Sequence, residues 1–110
     1  MARLGTMKLA GASGTTYRFH LFPWATTFKA IGAVYFVTRR FAKSSGGFQH
    51  ERIYLGQTRD LSEGFAKHTQ KDSFKKHSAN CIFVLHENDD TQRQQIEKDL
   101  LPKHTTLCNS

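Results

Sequence analysis

Residues 32–39 read GAVYFVTR, residues 41–50 read FAKSSGGFQH, and residues 52–56 read RIYLG. The outer two pieces are rich in β-branched and aromatic residues, which suit a pleated, half-buried surface. The middle piece centres on Ser44, Ser45, Gly46 and Gly47. Such a cluster between two apolar runs marks a turn. Strand, glycine-rich loop and strand together predict an antiparallel hairpin.

Upstream, residues 16–22 alternate, with Tyr17, Phe19 and Leu21 on one side and Arg18 and His20 on the other. That period of two predicts a half-buried strand. Residues 6–10 form a shorter strand, and Gly11 with Ser13-Gly14 links the two as a second hairpin. Pro23 breaks the pattern, and residues 25–30 are ambiguous. Downstream, Asp60 and Glu63 fit a capping box. The helix it opens would carry Leu61, Phe65 and His68 on one face. Gly64 lies in its middle, at a cost of about 1 kcal/mol relative to Ala. Residues 71–78 are polar and basic and read as a loop. Residues 80–86, with Ile82, Phe83, Val84 and Leu85, read as a buried strand. Asp89 and Gln92 start a last helix with an Ile96, Leu100, Leu101 face, and Pro102 stops it.

The predicted order is β-β-β-β-α-β-α, an α+β chain. The expected architecture is a small, three-stranded antiparallel sheet flanked by helices, residues 32–110. Residues 1–31 form an N-terminal β-hairpin extension packed on it. A length of 110 residues allows one domain with one core. An apolar share of 38% and thirteen aromatic residues suffice to build it. No apolar run is long enough for a membrane helix, and no signal peptide is visible. The acid-free N-terminal half reads as strands, which argues against a transit peptide. Cys81 and Cys108 lie far apart, without CxxC spacing, so neither a disulfide scaffold nor zinc is expected. Cys81 reads as a small buried apolar residue. His20, His50, His77, His86 and His104 show no HxxxH spacing and are not read as ligands. The expectation is a reducing, cytoplasmic protein.

The net charge is +7, and residues 1–50 hold seven basic residues and no acidic one. Residues 51–110 balance nine against nine. The positive field of the first half favours a polyanion such as nucleic acid. Lys71, Lys75 and Lys76 either track a phosphate backbone or solvate a loop.

Ala33-Val34-Tyr35, Tyr54-Leu55-Gly56-Gln57-Thr58, Asp60-Leu61, His68 and Glu97, with Pro102 and Asn109 behind them, resemble the GIY-YIG nuclease superfamily. The resemblance runs from about Gly32 to Asn109, and residues 54–68 are its specific part. It implies metal-dependent hydrolysis of DNA phosphodiester bonds, with Mg²⁺ or Mn²⁺ and without a small-molecule cofactor. It implies that Tyr35 and Tyr54 project into the active site from adjacent strands, that Glu97 binds the metal, and that His68 lies beside the scissile phosphate. Arg39, Arg40, Arg59 and Lys67 are the candidate contacts to duplex DNA.

Three departures stand out. The two tyrosines are nineteen positions apart, where the family has a short loop. Ala33 replaces the motif glycine, with Gly32 just before it. The family's arginine falls eight residues past Gly56, and that position is Gly64. On a helix, residues 64 and 68 share a face, so an arginine there would stand beside His68. Its guanidinium would stabilise transition-state charge on the phosphoryl oxygens. Gly64 therefore predicts a weak or inactive copy. A tyrosine base needs nearby cations to lower its pKa from about 10, and Arg39 and Arg40 are candidates for that field. The alternatives are a non-catalytic nucleic-acid-binding module and a protein-interaction domain on the same scaffold. Without the resemblance, the tyrosines read as ordinary strand residues, Glu97 as the surface partner of Arg93, and His68 as a helix-end residue.

Overall fold

The computed structural model describes residues 3–63, 65, 68 and 71–108. Its strands are β1 (Gly5–Ala10), β2 (Thr16–Pro23), β3 (Ala33–Ala42), β4 (Phe48–Thr58) and β5 (Cys81–His86). Its helices are α1 (Lys71–Lys76) and α2 (Asp90–Leu100), and a single 3-10 turn covers Leu61–Glu63. The chain is α+β. The strands form one five-stranded sheet in the order β1-β2-β5-β3-β4, antiparallel throughout.

The predicted three-stranded sheet is thus part of a larger one. Strands β4, β3 and β5 pair as a unit, and the N-terminal hairpin extends it through β2, which bonds β5 from His20↔Val84 to Pro23↔Cys81. Pro23 is the last residue of β2, a position where its missing N–H costs no ladder bond.

β3 is flanked by β4 and β5 and covered on both faces, so Ala33 to Thr38 are all buried. This explains a run that does not alternate. The sheet divides the single expected core into two layers. One layer holds Phe19, Val34, Phe36, Leu55 and Phe83 under Leu100 of α2. The other holds Tyr35, Val37, Ile53 and Ile82 under Leu61 and Phe74. Cys81 is buried, as its type predicts.

The β3–β4 turn needs its glycines. Gly46 and Gly47 have φ of 98° and 74°, a region that costs residues with a Cβ. Asp89 caps α2 by accepting from the Gln92 amide at 2.9 Å, as expected.

Three local expectations are corrected. The Asp60–Glu63 capping box does not form; the Asp60 carboxylate instead accepts from the Ser62 amide at 2.9 Å, an Asx-type bond that competes with helix. Residues 71–76, read as loop, are α1; Phe74 alone anchors that turn. The expected helix from Asp60 to His68 is reduced to the 3-10 turn Leu61–Glu63, with Phe65 in a bend and His68 in irregular chain; Gly64 and Lys67 lie outside the described residues. No helix among the described residues is long and apolar enough to cross a membrane.

Candidate active site

Tyr35 is the third residue of β3, directly opposite Gly56 of β4. Tyr54 stands two residues before Gly56, so it shares that face. A β-bulge lies beside it: Val37 pairs with Tyr54 and Thr38 with Arg52, which leaves Ile53 as the extra residue. Bulges re-aim neighbouring side chains. Here the bulge lets consecutive residues Ile53 and Tyr54 join the same apolar layer.

Gly56 is the floor of the site. A Cβ there would lie 2.7 Å from Tyr35 Oη and 2.7 Å from Tyr54 Cε2. Gly56 therefore lets two phenol rings fold over one point of the strand. Their centroids are 6.2 Å apart. His68 closes the group: its Nε2 is 3.0 Å from Tyr35 Oη, and its ring is 5.0 Å from Tyr54. Phe74 of α1 packs on His68 at 4.9 Å and on Tyr54 at 5.5 Å. Phe65 packs on Tyr35 at 5.1 Å. The helix that reads as a loop thus holds the histidine in place.

Glu97 comes from α2. Ile96 and Leu100 of that helix pack in the first layer. Glu97, about 100° round the helix from Ile96, is half-buried, and its charge is felt by both tyrosines. The C-terminal segment lies along the outer edge of β4, where the Leu107 and Cys108 amides donate to the carbonyls of Arg52 and Ile53 at 3.2 and 2.9 Å. That covers an edge strand otherwise open to pairing, and it brings Cys108 to Tyr54.

The electrostatics are those of a desolvated, cation-poor group. Burial, Tyr54 and Glu97 push the Tyr35 phenol well up. Burial, Glu97 and Cys108 push Tyr54 up. Burial lowers His68 and raises Glu97. At neutral pH both phenols keep their protons and the imidazole is neutral. The expectation that Arg39 and Arg40 lower a tyrosine pKa is corrected, because both phenols are raised and no Lys or Arg charge among the described residues acts on either.

Arg39 and Arg40 are too far along β3 to help, four and five residues past Tyr35, or roughly 13–17 Å. Arg39 pairs with Glu51 at 3.4 Å and lies over Phe41. Arg40 stacks on Phe48 at 3.5 Å. Arg59 is exposed at the end of β4, and Lys67 is not among the described residues. Arg40 and Arg52 crowd His50, whose ring lies 4.8 Å from Phe83; burial first, then the two guanidiniums, push its pKa down to about 4. The unfolded value is about 6.5. Between those values the unfolded chain binds more protons, so this contribution to stability is complete above pH 6.5 and is lost as pH falls toward 4. Melting temperature is expected to drop over that window, with a shallower drop in His50→Asn. Equal slopes in the two proteins would remove His50 as a cause.

One important residue is missed by sequence reasoning. Arg93 reads as the surface partner of Glu97, yet it is 1% exposed. Its Nε donates to Gln57 Oε1 at 2.9 Å, its Nη1 to the Glu87 carbonyl at 3.0 Å, and its Nη2 pairs with Asp90. Gly32 makes room for it, since a Cβ there would strike the guanidinium and the Glu87 carbonyl. The signal was present: Arg93 precedes Ile96 and Leu100 by three and seven positions, on the same helix face. Fully engaged, Arg93 does not stand in for the motif arginine. It fixes α2 to the end of β4, one helical turn before Glu97.

A divalent ion of the kind the resemblance implies would find one half-buried carboxylate here, Glu97. No group of three or more His, Cys, Asp and Glu converges among the described residues. However, Mg²⁺ takes as few as one or two carboxylates and keeps several waters. Glu97 has no ion-pair partner among the described residues, and its burial-raised carboxyl is the state that a bound cation reverses. Comparison with family models, with curated proteins and with solved structures gives no match.

Proposed function

We propose that this chain is a GIY-YIG-like endonuclease domain, a β4-β3-β5 core flanked by helices, that hydrolyses DNA phosphodiester bonds with Mg²⁺ or Mn²⁺. Its activity is weakened because Gly64 replaces an arginine. The observation that carries this reading is the convergence of Tyr35, Tyr54 and His68 at Gly56, with the charge of Glu97 reaching both tyrosines. A chance pair of strand tyrosines would not come with a hydrogen-bonded histidine from 33 positions away.

The protonation states suggest how these residues divide the work. A water attacking phosphorus must lose a proton. Tyr35 Oη accepts it while passing its own proton to His68 Nε2, so a protonated phenol and a neutral imidazole are the competent pair; the P–O bond to the departing sugar oxygen breaks, and that oxygen takes a proton from solvent. Tyr54 donates a hydrogen bond to a phosphoryl oxygen. Glu97 would hold the metal, which when bound supplies Lewis-acid neutralisation of the phosphoryl charge. The basic N-terminal half attracts the strand.

That no Lys or Arg charge among the described residues acts on the two tyrosines favours a second reading, a binding module that keeps the cleft without catalysis. Plasmid DNA with Mn²⁺ decides. Slow nicking is expected from the native chain and none from Glu97→Gln, with DNA binding retained in both and falling steeply with salt. Binding without nicking would establish the module. No binding at low salt would remove both and leave a protein-interaction domain.

A further inference from the structure

Behind Phe65 and Phe74 lies a cavity of about 520 Å³ that the proposed chemistry leaves unused. Trp24, Phe28, Phe65 and Phe74 line it, and Lys71 and Lys75 stand on its wall. Trp24 stacks on Phe65 at 5.0 Å and meets Phe74 edge-on at 5.9 Å. Trp24, Phe28 and Phe65 are only half-buried, so ring surface remains open to a guest. Lys71 and Lys75 are one helical turn apart on α1 and therefore share a face. Both are exposed, and neither pairs with a carboxylate among the described residues.

The volume lies within the range of about 300–1,000 Å³ typical of small-molecule sites. A purely apolar guest has no use for two lysines, and a free phosphate has no use for four aromatic rings. A flat aromatic ring carrying an anionic group uses both. The position narrows the choice: Phe65 and Phe74 are shared walls, touching Tyr35 and His68 on their other sides. We propose that this cavity holds one unpaired nucleobase of the bound strand, with its flanking phosphates on Lys71 and Lys75. The preferred substrate then carries an unpaired nucleotide next to the cleaved bond, a consequence that rests on the nuclease reading. Base binding itself does not.

Trp24 is the only tryptophan, so its emission reports on the cavity directly. The full chain is titrated, without metal, with an eight-residue oligothymidine, a blunt duplex of equal length, and laurate as an apolar probe. Saturable quenching by the single strand, stronger than by the duplex, is expected. Lys71→Gln with Lys75→Gln, both surface changes, should weaken it about tenfold or more at low salt and flatten the log–log salt slope by about 1.4, at about 0.7 per lost phosphate contact on single strands. Quenching by laurate alone, quenching that ignores the two lysines, or no quenching would each overturn the proposal. Nicking assays keep the two ideas apart. Quenching without any nicking defeats the nuclease reading and leaves the pocket; nicking with no preference for an unpaired nucleotide and no quenching does the reverse.

Discussion

Gly64→Arg is expected to raise Mn²⁺-dependent plasmid nicking by about 10²–10³, the usual worth of one preorganised charge stabiliser. Tyr35, Tyr54, His68 and Glu97 are neutral or anionic, and burial together with Glu97 raises both phenols. No cation among the described residues offsets this. A phosphoryl transition state places extra negative charge into that same volume. In the proposed nuclease reading the guanidinium belongs at position 64. On that reading an arginine at 64 supplies the charge and also lowers the tyrosine pKa values, since a nearby cation favours the phenolate. Spectrophotometric titration of the tyrosines gives a readout independent of cutting, and a melting curve checks folding. A variant that melts normally, shifts the tyrosines and still cuts nothing would show that more than arginine has been lost. The binding-module reading would then stand first.

The strands were legible because their signals are local. The alternation of residues 16–22, the β-branched run through Val37 and the Ser-Gly loop each mark a boundary within a few residues. Tyr35 and Tyr54 were singled out by the resemblance, their residue types alone reading as ordinary strand residues; the β3–β4 pairing does bring their rings together. What stayed hidden depends on partners distant in sequence. The insertion of β5 between β2 and β3 follows from no local pattern. Helix α1 has one buried residue, Phe74, among KDSFKK, so no apolar period announces it; packing against Trp24, Tyr54 and His68 supplies what propensity does not. Of the ambiguous residues 25–30, Ala25, Thr26 and Phe28 turned out to be cavity wall. The bulge at Ile53 moves one residue across the sheet, and no composition rule marks it. The capping box at Asp60 failed because a serine at position 62 offered the carboxylate a closer amide.

Arg93 is where the same reasoning gives its largest stability effect. Three sets of atoms depend on its guanidinium: Gln57 Oε1, the Glu87 carbonyl and the Asp90 carboxylate. Arg93→Ala leaves the first two without their donor and opens a cavity between α2 and the strand ends. Removing one partner from a buried charged network costs about 3–5 kcal/mol, which is a large share of the roughly 5–15 kcal/mol that holds a small domain together. The expected result is a melting temperature lower by 10 °C or more, at about 4–8 °C per kcal/mol for a domain of this size. Arg93→Met separates charge from packing. It fills the volume but cannot donate, so it should recover part of the loss, with Gln57 and the Glu87 carbonyl still unpaired. Gly32→Ala attacks the same junction from the other side, by driving a methyl group into the guanidinium, and should destabilise by about 1–3 kcal/mol, the usual cost of overpacking. Because the two changes meet at one guanidinium, the double variant should cost less than the sum of the singles. Strict additivity would mean that Gly32 and Arg93 do not share a junction, and the anchoring of Glu97 through α2 would lose its basis.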